Sequence, residues 1–483
     1  MNRLSVPART IIDRIWDAHV VARPEPGQAL LAIDRIFLHE RTGPALLTGL
    51  AASGRAPRHP ARIFGVMDHI VSTLPGRNEL SHGPSARSFI TEFRNSARSA
   101  GIRLFDLDDR LQGIVHVVSP EQGLALPGLT LVCPDSHTGT VGGLGALAWG
   151  IGSTEGEHAV ATGTLLTPEP KRMRVRFDGV LPGGVVAKDM ILALIGRFGA
   201  SGGAPGGVAH AIEFAGPAVR GLPIEGRLTL CNMAVEFGAW TGLVAPDEDT
   251  LQWVAGRPHA PQGAHFDQAA AHWLALRSDD DAAWDAEITL DVANLAPQVS
   301  WGTSPEHTSG VDGIVPDPAQ EADAARRRAC EQALAYMALK PGQSLAGTPI
   351  DAAFIGSCTN SRLSDLRAAA AMLRGAKVAP DVKAIVVPGS TPVKAAAEAE
   401  GLHRVFEDAG FEWRASGCSL CFFSGGDSFG FAEGSTRRVI SSTNRNFEGR
   451  QGPGVRTHLA SPLTVVASAL AGHITDPRPY LES

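Results

Sequence analysis

The fold is decided by the stretch AAFIGSCTNS at residues 352–361, where a short apolar run opens into a polar loop. The apolar run predicts a buried β-strand, and helical periodicity predicts a helix over 363–374. A second strand is predicted over 383–387 and a second helix over 393–409. Strands that alternate with helices in this way pair in parallel. Because parallel sheets bind ligands beyond the carboxyl ends of their strands, Cys358 is predicted to lie at a ligand site.

The same α/β pattern continues toward the N-terminus. It divides the chain into three predicted parts, residues 1–165, 166–290 and 291–483. The strands predicted in the first two domains are 66–70, 113–117, 129–133 and 172–177, and the helices are 8–19, 155–163 and 188–197. Five glycines and a proline predict a loop over 199–207.

The composition excludes several classes of protein. The 483 residues include 43 basic and 50 acidic side chains, a formal net charge of −7, which argues against nucleic-acid binding through a basic surface. No membrane span is predicted, and residues 1–19 lack the uncharged core of a secretory signal. A cytoplasmic location is therefore expected, where the six cysteines would be thiols or metal ligands rather than disulfides.

Three of the cysteines have a spacing that suits several kinds of chemistry. Cys418 and Cys421 form a CxxC pair, which redox centres, zinc half-sites and iron–sulfur half-sites all use. Cys358 lies 60 residues before Cys418, in a loop of small polar residues. Three thiolates from two loops could hold three irons of a cubane cluster and leave the fourth iron open as a Lewis acid. A buried structural thiol at Cys358 is the alternative interpretation.

Histidine and carboxylate side chains recur close together. Asp68 precedes His69 directly, and Asp135 is separated from His137 by Ser136. A carboxylate beside an imidazole fixes its tautomer and raises its basicity, which suits a general acid. Taken singly, each pair is more often a surface or core feature than a catalytic one, and His116 in its apolar run would alone be a core histidine.

Residues 444–450, NRNFEGR, concentrate two arginines and two asparagines in seven positions. Because arginine binds carboxylates with two parallel hydrogen bonds, this segment is a candidate site for an acidic substrate. A solvated loop is the alternative.

Taken together, these motifs resemble the aconitase/isopropylmalate dehydratase family, in its large-subunit form and nearest to 3-isopropylmalate dehydratase. The resemblance runs nearly end to end, and its residues are WDAHVV at 16–21, MDH at 67–69, GIVHV at 113–117, DSHT at 135–138, CNMAVE at 231–236, IGSCTNSR at 355–362, GCSLC at 417–421 and NRNFEGRQG at 444–452.

The resemblance implies three α/β domains of the aconitase type around a central [4Fe–4S] cluster site, with one open iron and with Cys358, Cys418 and Cys421 as the ligands. It implies that His69, paired with Asp68, protonates the departing hydroxyl. The other catalytic residues that it implies are His116 with Asp135 and His137 with Glu236. The substrate-binding residues that it implies are Ser136, Asn232, Asn444, Arg445 and Arg450.

The activity implied is that of a hydro-lyase that dehydrates and rehydrates a 2-hydroxy dicarboxylic acid. The expected conversion is 2-isopropylmalate to 3-isopropylmalate. In this family a serine on a swivelling domain removes the C–H proton, and the chain has no sequence left for that domain. A small partner subunit is therefore expected to supply the base.

Departures from the family pattern leave the substrate open to other diacids. They are Ala45, Ile70, Pro134, the segment 199–207 and the segment 422–436. Citramalate, dimethylmalate and a homoaconitate-type acid are the alternative substrates. An RNA-binding apo form is a different class, disfavoured by the net charge of −7, and a zinc-stabilised scaffold would leave the His–carboxylate pairs without a role.

Overall fold

A computed structural model describes residues 8–200, 209–423 and 427–481. Its strands are β1 Val20–Ala22, β2 Gln28–Ala32, β3 Arg35–His39, β4 Ile63–Val66, β5 Arg103–Phe105, β6 Thr130–Cys133, β7 Leu147–Gly150, β8 Thr164–Pro168, β9 Lys171–Asp178, β10 His210–Ala215, β11 Thr241–Leu243, β12 Ala286–Asp291, β13 Gln298–Ser300, β14 Thr308–Gly310, β15 Ala352–Ile355, β16 Lys383–Val386, β17 Phe411–Trp413, β18 Arg437–Ser441 and β19 Val455–Leu459.

The helices pack around these strands. They are α1 Ile11–His19, α2 Gly43–Ala52, α3 Gly83–Ala100, α4 Val115–Glu121, α5 Ser153–Thr162, α6 Ala187–Phe198, α7 Pro217–Arg220, α8 Ile224–Asn232, α9 Glu248–Val254, α10 Ala264–Leu274, α11 Ala324–Met337, α12 Leu363–Ala371, α13 Thr391–Ala399, α14 Leu402–Ala409 and α15 Pro462–Ala471. Among the described residues, none of the helices combines the length and the apolar character that crossing a bilayer requires.

The first large sheet is parallel, with strand order β5-β4-β3-β6-β7. Its central strands are fully buried apolar runs, as parallel sheets covered on both faces require. The chain leaves β3, β4 and β6 at the same edge, so Glu40, Asp68 and Asp135 follow the carboxyl ends of three neighbouring strands. The short antiparallel sheet β1-β2-β8 packs alongside.

The second large sheet has the order β11-β10-β9-β12 and the third the order β17-β16-β15-β18-β19, and both are parallel. Cys358 follows the carboxyl end of β15, and Asn444 follows that of the neighbouring β18. Helix α8 ends at Asn232 and leads into the turn that carries Glu236. The carboxyl ends of strands in the first and third sheets, together with the end of helix α8, therefore supply most of the candidate residues. The predicted domain division stays a prediction.

The predicted strands 129–133, 172–177, 352–355 and 383–387 are confirmed to within a residue or two. The predicted helices 8–19, 155–163 and 188–197 are also present, the first beginning only at Ile11 because Thr10 caps it. The predicted loop 199–207 lies almost wholly outside the described residues.

Four predictions were wrong in part. The run 113–117 was predicted as a strand but forms the start of helix α4, because a short apolar run does not distinguish a buried strand from a buried helix. The predicted helix 393–409 is two helices, since Gly401 adopts a left-handed φ of 77° between them. Only Val66 of the predicted strand 66–70 lies in a strand, at the end of β4, and the predicted helix 363–374 ends at Ala371.

Candidate active site

Three buried thiols come together from two loops. Cys358 follows β15, whereas Cys418 and Cys421 bracket a 3-10 turn. Their exposed fractions are 4%, 3% and 6%, and all six cysteines of the chain, each within the described residues, are free thiols. The residues next to the first two, Ser357 and Ser419, have φ of 71° and 49°. Left-handed backbone at non-glycine residues is costly and is concentrated at functional sites.

Hydrogen-bond donors point at two of these sulfurs. The amide nitrogens of Asn232 and Asn444 lie 3.2 and 3.5 Å from the Cys358 Sγ, and Arg450 Nη2 lies 3.3 Å from the Cys421 Sγ. Burial and the nearby Cys421 raise the pKa of the Cys358 thiol, so its thiolate form requires a compensating cation. Clustered buried thiols with N–H donors aimed at them fit a thiolate-bound iron–sulfur cluster.

His69 lies between two carboxylates. Its Nδ1 is 2.6 Å from Asp68 Oδ1, and its Nε2 is 3.2 Å from Asp135 Oδ2. Although burial alone would lower it, Asp68 and Asp135 raise the pKa of His69 well above its usual value. The pKa of Asp135 is held well below its usual range, against the effect of burial, by His116 and His69. The imidazole of His69 therefore carries a proton at neutral pH.

Two further His–carboxylate pairs adjoin this one. His116 Nε2 is 2.8 Å from Asp135 Oδ1, and His137 Nε2 is 2.9 Å from Glu236 Oε1. Arg445 donates from Nε to the same oxygen of Glu236 at 2.7 Å. Burial would raise the pKa of Glu236, but His137 and Arg445 lower it, so this carboxylate is ionised.

A small cavity of about 80 Å³ collects these groups. The predicted residues that line it are His69, His116, Asp135, Ser136, His137, Cys358, Cys418, Cys421, Arg445 and Arg450. The remaining four, Asp68, Asn232, Glu236 and Asn444, lie behind the lining residues and are hydrogen-bonded to them. All the residues predicted for the site therefore occupy one region of the molecule.

Comparison with known proteins places this site in a family. The model of the aconitase family (aconitate hydratase) matches residues 13–472. The chain belongs to the aconitase family. A relative with 53% identity over 471 residues, covering 97% of this chain and 96% of its own length, is "3-isopropylmalate dehydratase large subunit 1" of Bradyrhizobium diazoefficiens.

Among solved structures, the chain is similar to aconitase X of Thermococcus kodakaraensis in its holo form, with 13% identity and a TM-score of 0.45. That likeness covers 90% of this chain and 89% of the other. It is too distant to bear on function.

The site of this aconitase-family chain includes residues that the sequence patterns did not indicate. Arg41 and Phe422 line the cavity, with the Arg41 guanidinium 5.2 Å from the centre of the Phe422 ring. The buried ammonium of Lys188 donates to the carbonyl oxygens of Ser442 and Thr443, directly before Asn444. No short motif marks Arg41 or Lys188, and Phe422 was noted only within a segment that departs from the family pattern.

Two more residues escaped prediction. His39 stacks on the imidazole of His69 with 4.3 Å between ring centres, and Glu40 accepts hydrogen bonds from the backbone beneath His69. The signal that could have found them is their position. His39 is the last residue of β3, and Glu40 follows it. The neighbouring strand β4 leads to Asp68 and His69 at the same edge of the sheet.

Proposed function

We propose that the chain is the large, catalytic subunit of a 3-isopropylmalate dehydratase, which interconverts 2-isopropylmalate and 3-isopropylmalate by removal and addition of water. The observation that carries this proposal is the single cavity on which three buried thiols, three histidines and three arginines converge. The relative from Bradyrhizobium diazoefficiens supports the choice of substrate through its name. The cytoplasmic location expected from the sequence is part of the same proposal.

The cofactor of the proposed enzyme is a [4Fe–4S] cluster, which membership of the family implies. Cys358, Cys418 and Cys421 would hold it, because their thiols are buried together at the cavity and those of Cys358 and Cys421 receive N–H donors. When bound, a cluster with one iron free of protein ligands supplies a Lewis acid for the substrate's hydroxyl and carboxylate.

His69 acts as the general acid of the proposed reaction. A hydroxyl leaves as water only when a proton reaches its oxygen, and His69 holds a proton at neutral pH at the wall of the cavity. Asp68 stabilises the charged imidazole through Nδ1. Asp135 accepts from His116 and lies 3.2 Å from His69 Nε2, so it orients both imidazoles toward the substrate.

Arg445 and Arg450 bind the carboxylates of the diacid in this proposal. Both line the cavity, and arginine is suited to carboxylates because its planar fork donates two parallel hydrogen bonds. Glu236 holds Arg445 from behind, and the aromatic rings of Phe422 and Phe447 lie 5.6 and 5.4 Å from the Arg450 guanidinium. Ser136 adds a hydroxyl to the lining.

The C–H proton has to be removed by a group outside this set. The histidines of the cavity are paired with carboxylates, and we assign the base to a small swivel-domain subunit that completes the substrate pocket. The printed name of the relative, a large subunit, supports a two-subunit enzyme. The large subunit alone is expected to bind the cluster and to turn over little substrate.

Substrate turnover by the two-subunit complex tests this function. Anaerobically purified complex is expected to convert 3-isopropylmalate to the enoic diacid, followed by its absorbance in the ultraviolet, at a rate at least about tenfold above that with citramalate or dimethylmalate, since the missing alkyl groups forfeit binding energy. The large subunit alone serves as the control. Preference for one of the smaller diacids, or for a homoaconitate-type acid, would overturn the assignment of substrate.

A further inference from the structure

Glu40 is a fully buried carboxylate directly beyond β3, with no exposed surface. Its Oε2 accepts the backbone N–H of Asp68 at 3.0 Å. Its Oε1 accepts the backbone N–H of His69 at 2.6 Å and also that of Ile70. One carboxylate thus receives three successive N–H groups, an arrangement in which the backbone forms an anion-binding concavity.

The other contacts of this turn come from separate parts of the chain. Gln112 donates to the carbonyl of Met67 at 2.6 Å, the N–H of Cys418 to the carbonyl of Asp68 at 2.9 Å, and the N–H of Val115 to the Asp68 carboxylate at 2.9 Å. These contacts fix the two carbonyls and the Asp68 side chain. The three N–H groups of the turn, and with them the orientation of the peptide that carries the His69 imidazole, depend on Glu40.

The position of Glu40 is electrostatically unfavourable in itself. Burial and the nearby Asp68 raise its pKa to about 7. One ligand atom from each of His39, Glu40, Asp68 and His69 lies within 4.8 Å of the others, a spacing that a metal ion could use. The Glu40 oxygens are already engaged with three N–H groups, however, so a metal would have to displace them. A buried charge beside a second carboxylate requires compensation, and the three N–H groups provide it.

We propose that Glu40 is a positioning residue for the general acid: its carboxylate fixes the 68–70 turn so that the His69 imidazole faces both the cavity and its two carboxylate partners. The proposal rests on the proposed role of His69. His39 contributes from the same strand end by stacking on the imidazole, which restricts rotation of the ring.

The test is Glu40→Gln in the cluster-loaded two-subunit complex. Glutamine keeps the length of the side chain but replaces one acceptor oxygen by an NH2 group, which faces a backbone N–H and cannot accept from it. We expect kcat with 3-isopropylmalate to fall about 10- to 100-fold with KM unchanged, because a misplaced catalytic group lowers the rate without removing substrate contacts. The alkaline limb of the kcat profile should also move to lower pH, since loss of a negative charge lowers the pKa of His69.

Glu121→Gln is the matched control. Glu121 is a part-buried carboxyl whose pKa burial also raises to about 7, but it accepts from the Ser390 hydroxyl, which an amide oxygen can replace. It does not line the cavity of the site, so wild-type kcat and pH profile are expected. Glu40→Asp, which keeps the charge on a shorter side chain, should recover part of the lost kcat and restore the pH profile.

The outcomes separate this proposal from the proposed function. A wild-type complex that fails to convert 3-isopropylmalate contradicts the function itself. An active wild type, together with a Glu40→Gln variant of unchanged kcat and pH profile, overturns the positioning role. If Glu40→Gln does not fold, Glu40→Asp decides: wild-type kcat in a variant with normal Tm overturns the role, and a reduced kcat at normal Tm supports it.

Discussion

Cys421→Ser is expected to purify without iron or sulfide and to have no measurable turnover, while remaining folded. A serine hydroxyl is a far poorer ligand for iron than a thiolate, and two remaining thiols cannot hold three irons. Arg450 donates toward the Cys421 Sγ at 3.3 Å, so the change also alters the hydrogen-bond partner of this arginine. Iron and sulfide analysis with an activity assay of anaerobic protein measures both effects.

Cys330→Ser provides the comparison for this variant. Cys330 is also a buried thiol, but it lies in helix α11, packed in a separate apolar cluster, and does not line the cavity. Its replacement should lower Tm and leave cluster content and kcat unchanged. Normal turnover in Cys421→Ser, or equal loss of cluster in both variants, would contradict the assignment of the three ligands.

Asp68→Asn is expected to lower kcat by about 10²- to 10³-fold while the cluster stays intact. Asp68 is the strongest of the neighbours that raise the pKa of His69 against the effect of burial. Without it the pKa falls, so at neutral pH less of the imidazole carries the proton that the hydroxyl requires. Activity in the dehydration direction should therefore decline at a lower pH than in the wild type as the pH rises.

The chain offers a matched control for this change in a second His–Asp pair away from the site. His19 Nε2 lies 2.7 Å from Asp34 Oδ2, and Asp34 raises the pKa of His19 against the effect of burial. Asp34→Asn should affect Tm and leave the pH profile of kcat unchanged. A fully active Asp68→Asn variant, or the same shift of profile in both variants, would remove the acid role from His69.

Much of the site could be predicted because its residues follow strand ends in recognisable motifs. Cys358, with β15, was placed correctly from an apolar run that opens into small polar residues. The CxxC pair and the Asp-His dipeptide needed no tertiary information to be singled out. Their roles, by contrast, came from the family resemblance, since each motif alone allowed several interpretations.

The parts that escaped prediction depend on contacts between distant segments. His116 was predicted to lie in a strand because its neighbours are β-branched and apolar. In the structure it lies in the first turn of helix α4, where Val115 donates its backbone N–H to the Asp68 carboxylate. Glu40 and Lys188 form hydrogen bonds with backbone groups of loops that are distant in the sequence. Such contacts could not be predicted, because every residue type other than proline offers the same backbone donor and acceptor.

The structure also shows where the residues that depart from the family pattern lie relative to the cavity. Ala45 is exposed on α2 and does not line the cavity, and Ile70 is buried with its N–H on Glu40. Phe422, the first residue of the altered segment 422–436, does line the cavity and packs against Arg41 and Arg450. Among the described residues of these departures, Phe422 is therefore the one that lines the cavity.

We propose that three thiolates of this chain hold an iron–sulfur cluster with one iron open to substrate. Paramagnetic resonance of the anaerobically reconstituted large subunit, recorded after mild oxidation, tests it most directly. We expect a brown protein whose iron and sulfide match a [4Fe–4S] cluster and which becomes paramagnetic as the open iron is lost. A colourless protein without iron, or one that binds zinc at these cysteines and gives no signal, would contradict it.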